Sequence, residues 1–263
     1  MMLRFIRKTK KILRFARTLA PIFLVSQAFA FAMPERTATA AEPETQQAGK
    51  TLERYTGIAR DRQGKLLYRE KHEVEYLDQQ VKKAVSEYLS PDGNLVARLK
   101  SEFPSPTSFL PKYQFENLQA QIQEGVDCCS GSSLEVYHSR KGKTERTRLD
   151  FAPNWVSGQG FHYLARERLG EVARGEGQEF KFLIPSKMSA YNFRIRSGGK
   201  DPTNLNYQKV LLEIDQWFFR LFAPKIIATY DTKTKRLMKY QGPSNLEATN
   251  GDVPEVTIDY TYE

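Results

Sequence analysis

The chain reads as a mainly β protein. We expect a strongly curved antiparallel sheet of about eleven strands, a half-barrel or open barrel, with two short helices packed in its concavity. Three observations predict this. Short runs with period-2 alternation recur along the sequence, separated by turn signals built from Gly, Asp and Pro. Aromatics make up 12% of the residues, with 16 Phe and 13 Tyr, side chains that pack well across strands. Only two stretches switch to helical period, too few for a second full layer. A sheet that is polar on one face must then curl to bury the other.

In chain order, residues 1–32 come first (MMLRFIRKTKKILRFARTLAPIFLVSQAFAFA). Lys and Arg crowd the first half without an acidic residue, an apolar run follows, and Ala-x-Ala sites close it. That is the pattern of a secretory signal peptide. The apolar run is shorter than the ~20 residues a spanning helix needs, so cleavage and a periplasmic location are expected. The alternative is an inner-membrane anchor made by an uncleaved N-terminus. Residues 33–50 (MPERTATAAEPETQQAGK) have almost nothing to bury and read as a disordered polar linker. Residues 51–263 remain as one domain, long enough for a sizeable core.

Within that domain, residues 52–60 and 66–76 flank the turn Asp61-Arg62-Gln63-Gly64, and 81–89 and 94–103 flank Ser90-Pro91-Asp92-Gly93. A Pro-rich break covers 104–111. Residues 113–126 fit a strand or a helix. Residues 132–138 and 144–151 form a hairpin around Lys141-Gly142-Lys143. Residues 160–174 put Phe161, Leu164, Ala165, Leu169 and Val172 on one helical stripe. Strands follow at 178–184, 188–196 and 207–214, then a short helix at 215–222 stopped by Pro224. The last strands are 225–230, 235–241 and 254–262. Tight turns between neighbours impose antiparallel pairing, and no βαβ alternation occurs.

Charge narrows the function classes. The chain has 40 Lys and Arg against 31 Asp and Glu, a net of +9. Residues 1–32 hold seven of those basic residues and none of the acidic ones, which leaves 33 against 31, a net of +2. The basic pI belongs to the leader, so no nucleic-acid partner is expected. Export also removes most nucleotide-dependent chemistry. The two cysteines, Cys128 and Cys129, are adjacent and lack C-x-x-C spacing, so no catalytic role is expected, and two free thiols or intermolecular bridges are the alternatives. No cofactor motif and no metal-ligand spacing is present.

Several segments resemble a group of uncharacterised exported bacterial proteins. They are Tyr55-Thr56-Gly57-Ile58-Ala59, the run Leu67 through Glu73 (LYREKHE), Phe182-Leu183-Ile184-Pro185-Ser186, and the closing YDTKTKRL and YQGPSN segments that begin at Tyr230 and Tyr240. The resemblance covers most of 52–262 and implies no activity. At fold level the strand pattern is also loosely similar to the lipoprotein-carrier (LolA-like) half-barrel, which implies a ligand-holding concavity.

Candidate site residues come from the faces of these elements. Alternation over 66–76 puts Tyr68, Glu70, His72 and Val74 on the face to be buried and Arg69, Lys71 and Glu73 on the other. A carboxylate and an imidazole side by side among aromatics can act as an acid–base pair. They can equally form a satisfied internal pair with Arg194 or a Tyr hydroxyl. The enzyme reading lacks a nucleophile or metal. The segment 215–222 is the most apolar of the domain, with Trp217, Phe218, Leu221 and Phe222 on one face. With Tyr68, these residues are expected to wall a cavity for an apolar small molecule or lipid, or to dip into a membrane interface as a peripheral contact. The basic loop at Arg140, Lys141 and Lys143, with Arg146 and Arg148, reads as a solvated hairpin, the alternative being contact with anionic lipid head groups. The best reading is a periplasmic binding module. The alternatives are an enzyme using Glu70 and His72, or a structural envelope-associated protein.

Overall fold

The computed structural model describes residues 49–105, 108–214 and 226–263. Residues 1–48, expected to be the leader and most of the linker, and the helix expected at 215–222 lie outside them, whereas Lys50, expected to end the linker, is the first residue of the first strand. The strands are β1 Lys50–Arg60, β2 Leu66–Leu77, β3 Gln80–Leu89, β4 Leu95–Glu102, β5 Lys112–Asn117, β6 Ile122–Ser130, β7 Ser133–Arg140, β8 Lys143–Asp150, β9 Trp155–Ser157, β10 Gln178–Ile184, β11 Ser189–Asp201, β12 Asn204–Ile214, β13 Ile226–Asp231, β14 Leu237–Pro243 and β15 Glu255–Tyr262. Two helices, α1 Gly160–Glu167 and α2 Leu169–Ala173, and a 3-10 turn at Pro185–Lys187 complete it.

All fifteen strands form one sheet in the order β8-β7-β6-β5-β4-β3-β2-β1-β15-β14-β13-β12-β11-β10-β9. The expected count of about eleven is therefore too low. Residues 113–126 make two strands, β5 and β6, turned at Gln121, whose φ is +54°. The three-residue β9 carries no readable alternation. It is also the exception to antiparallel order, because it runs parallel to β10.

Hairpin turns follow from local chemistry. Asp61 Oδ1 accepts the N–H groups of Gln63 and Lys65, both at 2.9 Å, which closes the β1–β2 loop as an Asx turn. Asp78 and Gln79 both have positive φ, +50° and +64°, the conformation of a two-residue turn that matches strand twist. Register shifts at Ala59/Arg60, Glu75/Tyr76, Tyr88/Leu89 and Thr229/Tyr230 are bulges that add to the twist.

The curl is visible in the core. Leu134 and Val136 of β7, near one end of the strand order, share a cluster with Trp155 of β9 and Leu183 of β10, at the other end. The 3-10 turn after β10 packs against β6 and β7. The two ends thus meet through side chains, while β8 and β9 have no ladder between them. The sheet is an open barrel.

The helical stripe is as expected: Leu164, Ala165, Leu169 and Val172 are buried in one cluster, with Phe161 packed against it. The single helix expected over 160–174 is interrupted at Arg168 (φ −87°, ψ 6°), just before Gly170, a poor helix former. α1 lies across the inner face of the sheet. Its Tyr163 packs edge-on against Phe103 at 5.0 Å between ring centroids. Its first residue must be Gly: a Cβ on Gly160 would sit 1.8 Å from the carbonyl oxygen of Phe109. No described helix is long and apolar enough to cross a membrane.

Candidate functional site

Period-2 burial along β2 is observed as expected. Tyr68, Glu70 and Val74 are buried, whereas Arg69, Lys71 and Glu73 are exposed. Glu70 and His72 face inward, with side chains 2% and 8% exposed.

These two residues anchor a hydrogen-bonded array. His72 Nε2 lies 2.8 Å from Glu70 Oε2, and His72 Nδ1 lies 2.6 Å from Ser86 Oγ. Tyr260 Oη donates to Glu70 Oε2 at 3.0 Å, and Gln159 Nε2 donates to Ser86 Oγ at 2.9 Å. One assignment satisfies all of these contacts: Nε2–H donates to the Glu70 carboxylate and the Ser86 hydroxyl donates to Nδ1. The imidazole stacks on Tyr55, with ring centroids 4.3 Å apart and planes 8° apart. Of the two partners anticipated for the pair, the Tyr hydroxyl is present. Arg194 instead pairs with Glu213 at 3.1 Å.

Ser86 is the residue that sequence reasoning missed. It opposes His72 across the β2–β3 ladder. Hydroxyl, imidazole and carboxylate stand in the order that activates a serine nucleophile. Two features limit that chemistry. Ser86 is 0% exposed. Its strand is also paired on both sides, with β2 and β4, so the local N–H groups serve the ladders and do not converge on a developing oxyanion.

The array forms one wall of a cavity of about 310 Å³. Leu212, Ile226, Ala228 and Leu237 of β12 to β14, and Phe161 and His162 of α1, also line it. Strands far apart in the order share this space because the sheet curls around it. Burial pushes the phenols of Tyr55, Tyr88, Tyr230 and Tyr260 up, so they stay protonated. Burial, reinforced by Arg166 and His72, holds the His162 imidazole well below its usual range. Its Nδ1 lies 3.2 Å from Tyr230 Oη.

The remaining expected site residues distribute as follows. Tyr68 is 4% exposed, its hydroxyl bonds Ser244 Oγ at 3.0 Å, and it sits in the core rather than on the cavity wall. Trp217, Phe218, Leu221 and Phe222 lie outside the described residues. His138 is held by Glu124 at 3.1 Å. Burial raises that carboxyl above the usual range, and His138 opposes the shift. Glu124, Phe115 and Asn245 line both the cavity and an adjoining hollow beside the 3-10 turn. In the basic hairpin, Arg140 pairs with Glu247 and Arg146 with Glu135. Among the described residues, no group of three or more His, Cys, Asp or Glu is placed to hold a metal ion.

No protein-family model matches the chain, and no curated protein matches it. Among solved structures, it is similar to a crystal structure described as a beta-barrel-like protein of Domain of Unknown Function DUF1849 from Brucella abortus. The identity is 8%, the alignment covers 82% of this chain and 96% of that one, and the TM-score is 0.36.

Proposed function

We propose that the protein is an exported, periplasmic binding module that holds a small apolar or lipid-like molecule inside its curled sheet. One observation carries the reading: a partly open cavity of about 310 Å³ inside the curled sheet, with predominantly aromatic and aliphatic walls. Small-molecule sites have this character, apolar walls with a few convergent polar groups, and start at about this size. The apolar sequence of 215–222, with Trp217, Phe218, Leu221 and Phe222, fits the same reading, although the segment lies outside the described residues. The test is native mass spectrometry of the protein purified from a periplasmic extract, followed by solvent extraction and lipid analysis. A reproducible apolar molecule, lost on denaturation, is expected. A clean apo mass from periplasmic material, together with no uptake of added lipid, would overturn the reading.

A second reading is favoured by the Ser86–His72–Glu70 array, which could make the protein a hydrolase acting on what the cavity binds. Labelling by a fluorophosphonate probe, lost in Ser86→Ala, would support it. Absence of labelling in a protein that still binds ligand would remove it.

A further inference from the structure

The cavity wall restricts which head group a ligand can carry. No described lining residue is Lys or Arg. The two lining carboxyl groups, Glu70 and Glu124, are already engaged with His72 and His138, at 2.8 and 3.1 Å. An anionic head group drawn into this space would meet no cation among the described residues, and moving an ion out of water without a partner is strongly unfavourable. A cationic head group would have to displace an imidazole from its carboxyl partner.

What the wall does offer is neutral. His162 lines the cavity, with only Nδ1 engaged among the described residues, by Tyr230. Gln159 donates through Nε2 to Ser86, while its Oε1 is buried without a hydrogen-bond partner. The two residues stand three apart at the start of α1 and therefore share one side of it. If Tyr230 donates to Nδ1, the other ring nitrogen carries the proton and donates. An amide oxygen accepts. A donor beside an acceptor is the complement of a hydroxyl group.

We propose that the cavity selects an uncharged amphiphile, with its hydroxyl held between His162 and Gln159 and its chain among the apolar residues of β12 to β14. This inference rests on the binding reading above. The test is calorimetric titration of the full-length protein at neutral pH with three probes of equal chain length: 1-decanol, decanoate and decylammonium. 1-Decanol is expected to bind at least about tenfold more tightly than either ion. His162→Phe is expected to reduce its affinity roughly five- to tenfold, and His162→Gln, which keeps a donor and an acceptor, to retain most of it. Either ion binding as tightly as the alcohol would overturn the head-group inference and leave the cavity standing. Failure of all three to bind would overturn the binding reading and this inference with it. Circular-dichroism melts of the variants separate lost folding from a lost contact, and the wild-type series decides the matter if His162→Phe does not fold.

Discussion

The Glu70–His72 pair gives the sharpest test of how the cavity wall is held together. Glu70 Oε2 accepts from Tyr260 at 3.0 Å and pairs with His72 at 2.8 Å, at a side chain only 2% exposed. Glu70→Leu keeps the volume but strands two buried donors. Each stranded donor costs about 1–3 kcal/mol, so a loss of about 2–6 kcal/mol is expected. His72→Phe keeps the stack on Tyr55, which has a centroid distance of 4.3 Å, and removes one partner from Glu70 and one from Ser86. A loss of about 1–3 kcal/mol follows. In the double variant the second change removes an interaction already gone, so the two losses should fall short of additivity by ~1–3 kcal/mol. Urea unfolding followed by circular dichroism, with linear extrapolation, measures all three. Additivity within about 0.5 kcal/mol would refute the coupling. An undiminished stability in Glu70→Leu would show that the carboxyl group is solvated rather than buried.

Other outcomes follow from the same geometry. A Cβ on Gly57 would sit 2.8 Å from the Tyr260 ring and 3.1 Å from Glu70 Oε2. Gly57→Ala should therefore lower stability by about 1–3 kcal/mol, read as a fall in melting temperature, and an unchanged melt would show that the ring moves freely. At Gly125 the added carbon would lie 2.2 Å from the Tyr113 carbonyl oxygen. Backbone cannot swing aside as a side chain can, so Gly125→Ala should be the more damaging of the two in the same assay. Burial depresses the His162 pKa below the unfolded value of 6.5. Its contribution is then fully present above about pH 6.5 and lost as pH falls through and below that value. The melting temperature of wild type relative to His162→Phe should decline on acidification from neutral pH, and a constant difference would contradict a buried neutral imidazole.

Much of this was legible in the residues. Alternation over 66–76 identified Glu70 and His72 as inward-facing because side-chain direction in a strand depends only on the residue's own parity. The helical stripe from Phe161 to Val172 was legible for the same reason, at a different period. Ser86 was not. The turn at Asp78 and Gln79 pairs Leu77 with Gln80 and Tyr76 with Val81. Carried on unbroken, that register would set His72 against Val85. A bulge between Glu75 and Tyr76 shifts the ladder by one residue and brings Ser86 opposite His72. No sequence signal marked that bulge.

The sequence by itself determined which face each strand and helix buries and where most hairpins turn, because those properties arise within a few neighbouring residues. The tertiary structure decided the partners: Tyr260 on Glu70 across 190 positions, Gln159 on Ser86 across 73, and His162 on Tyr230 across 68. Those distances depend on twist, bulges and curl accumulated over fifteen strands, which no local pattern records.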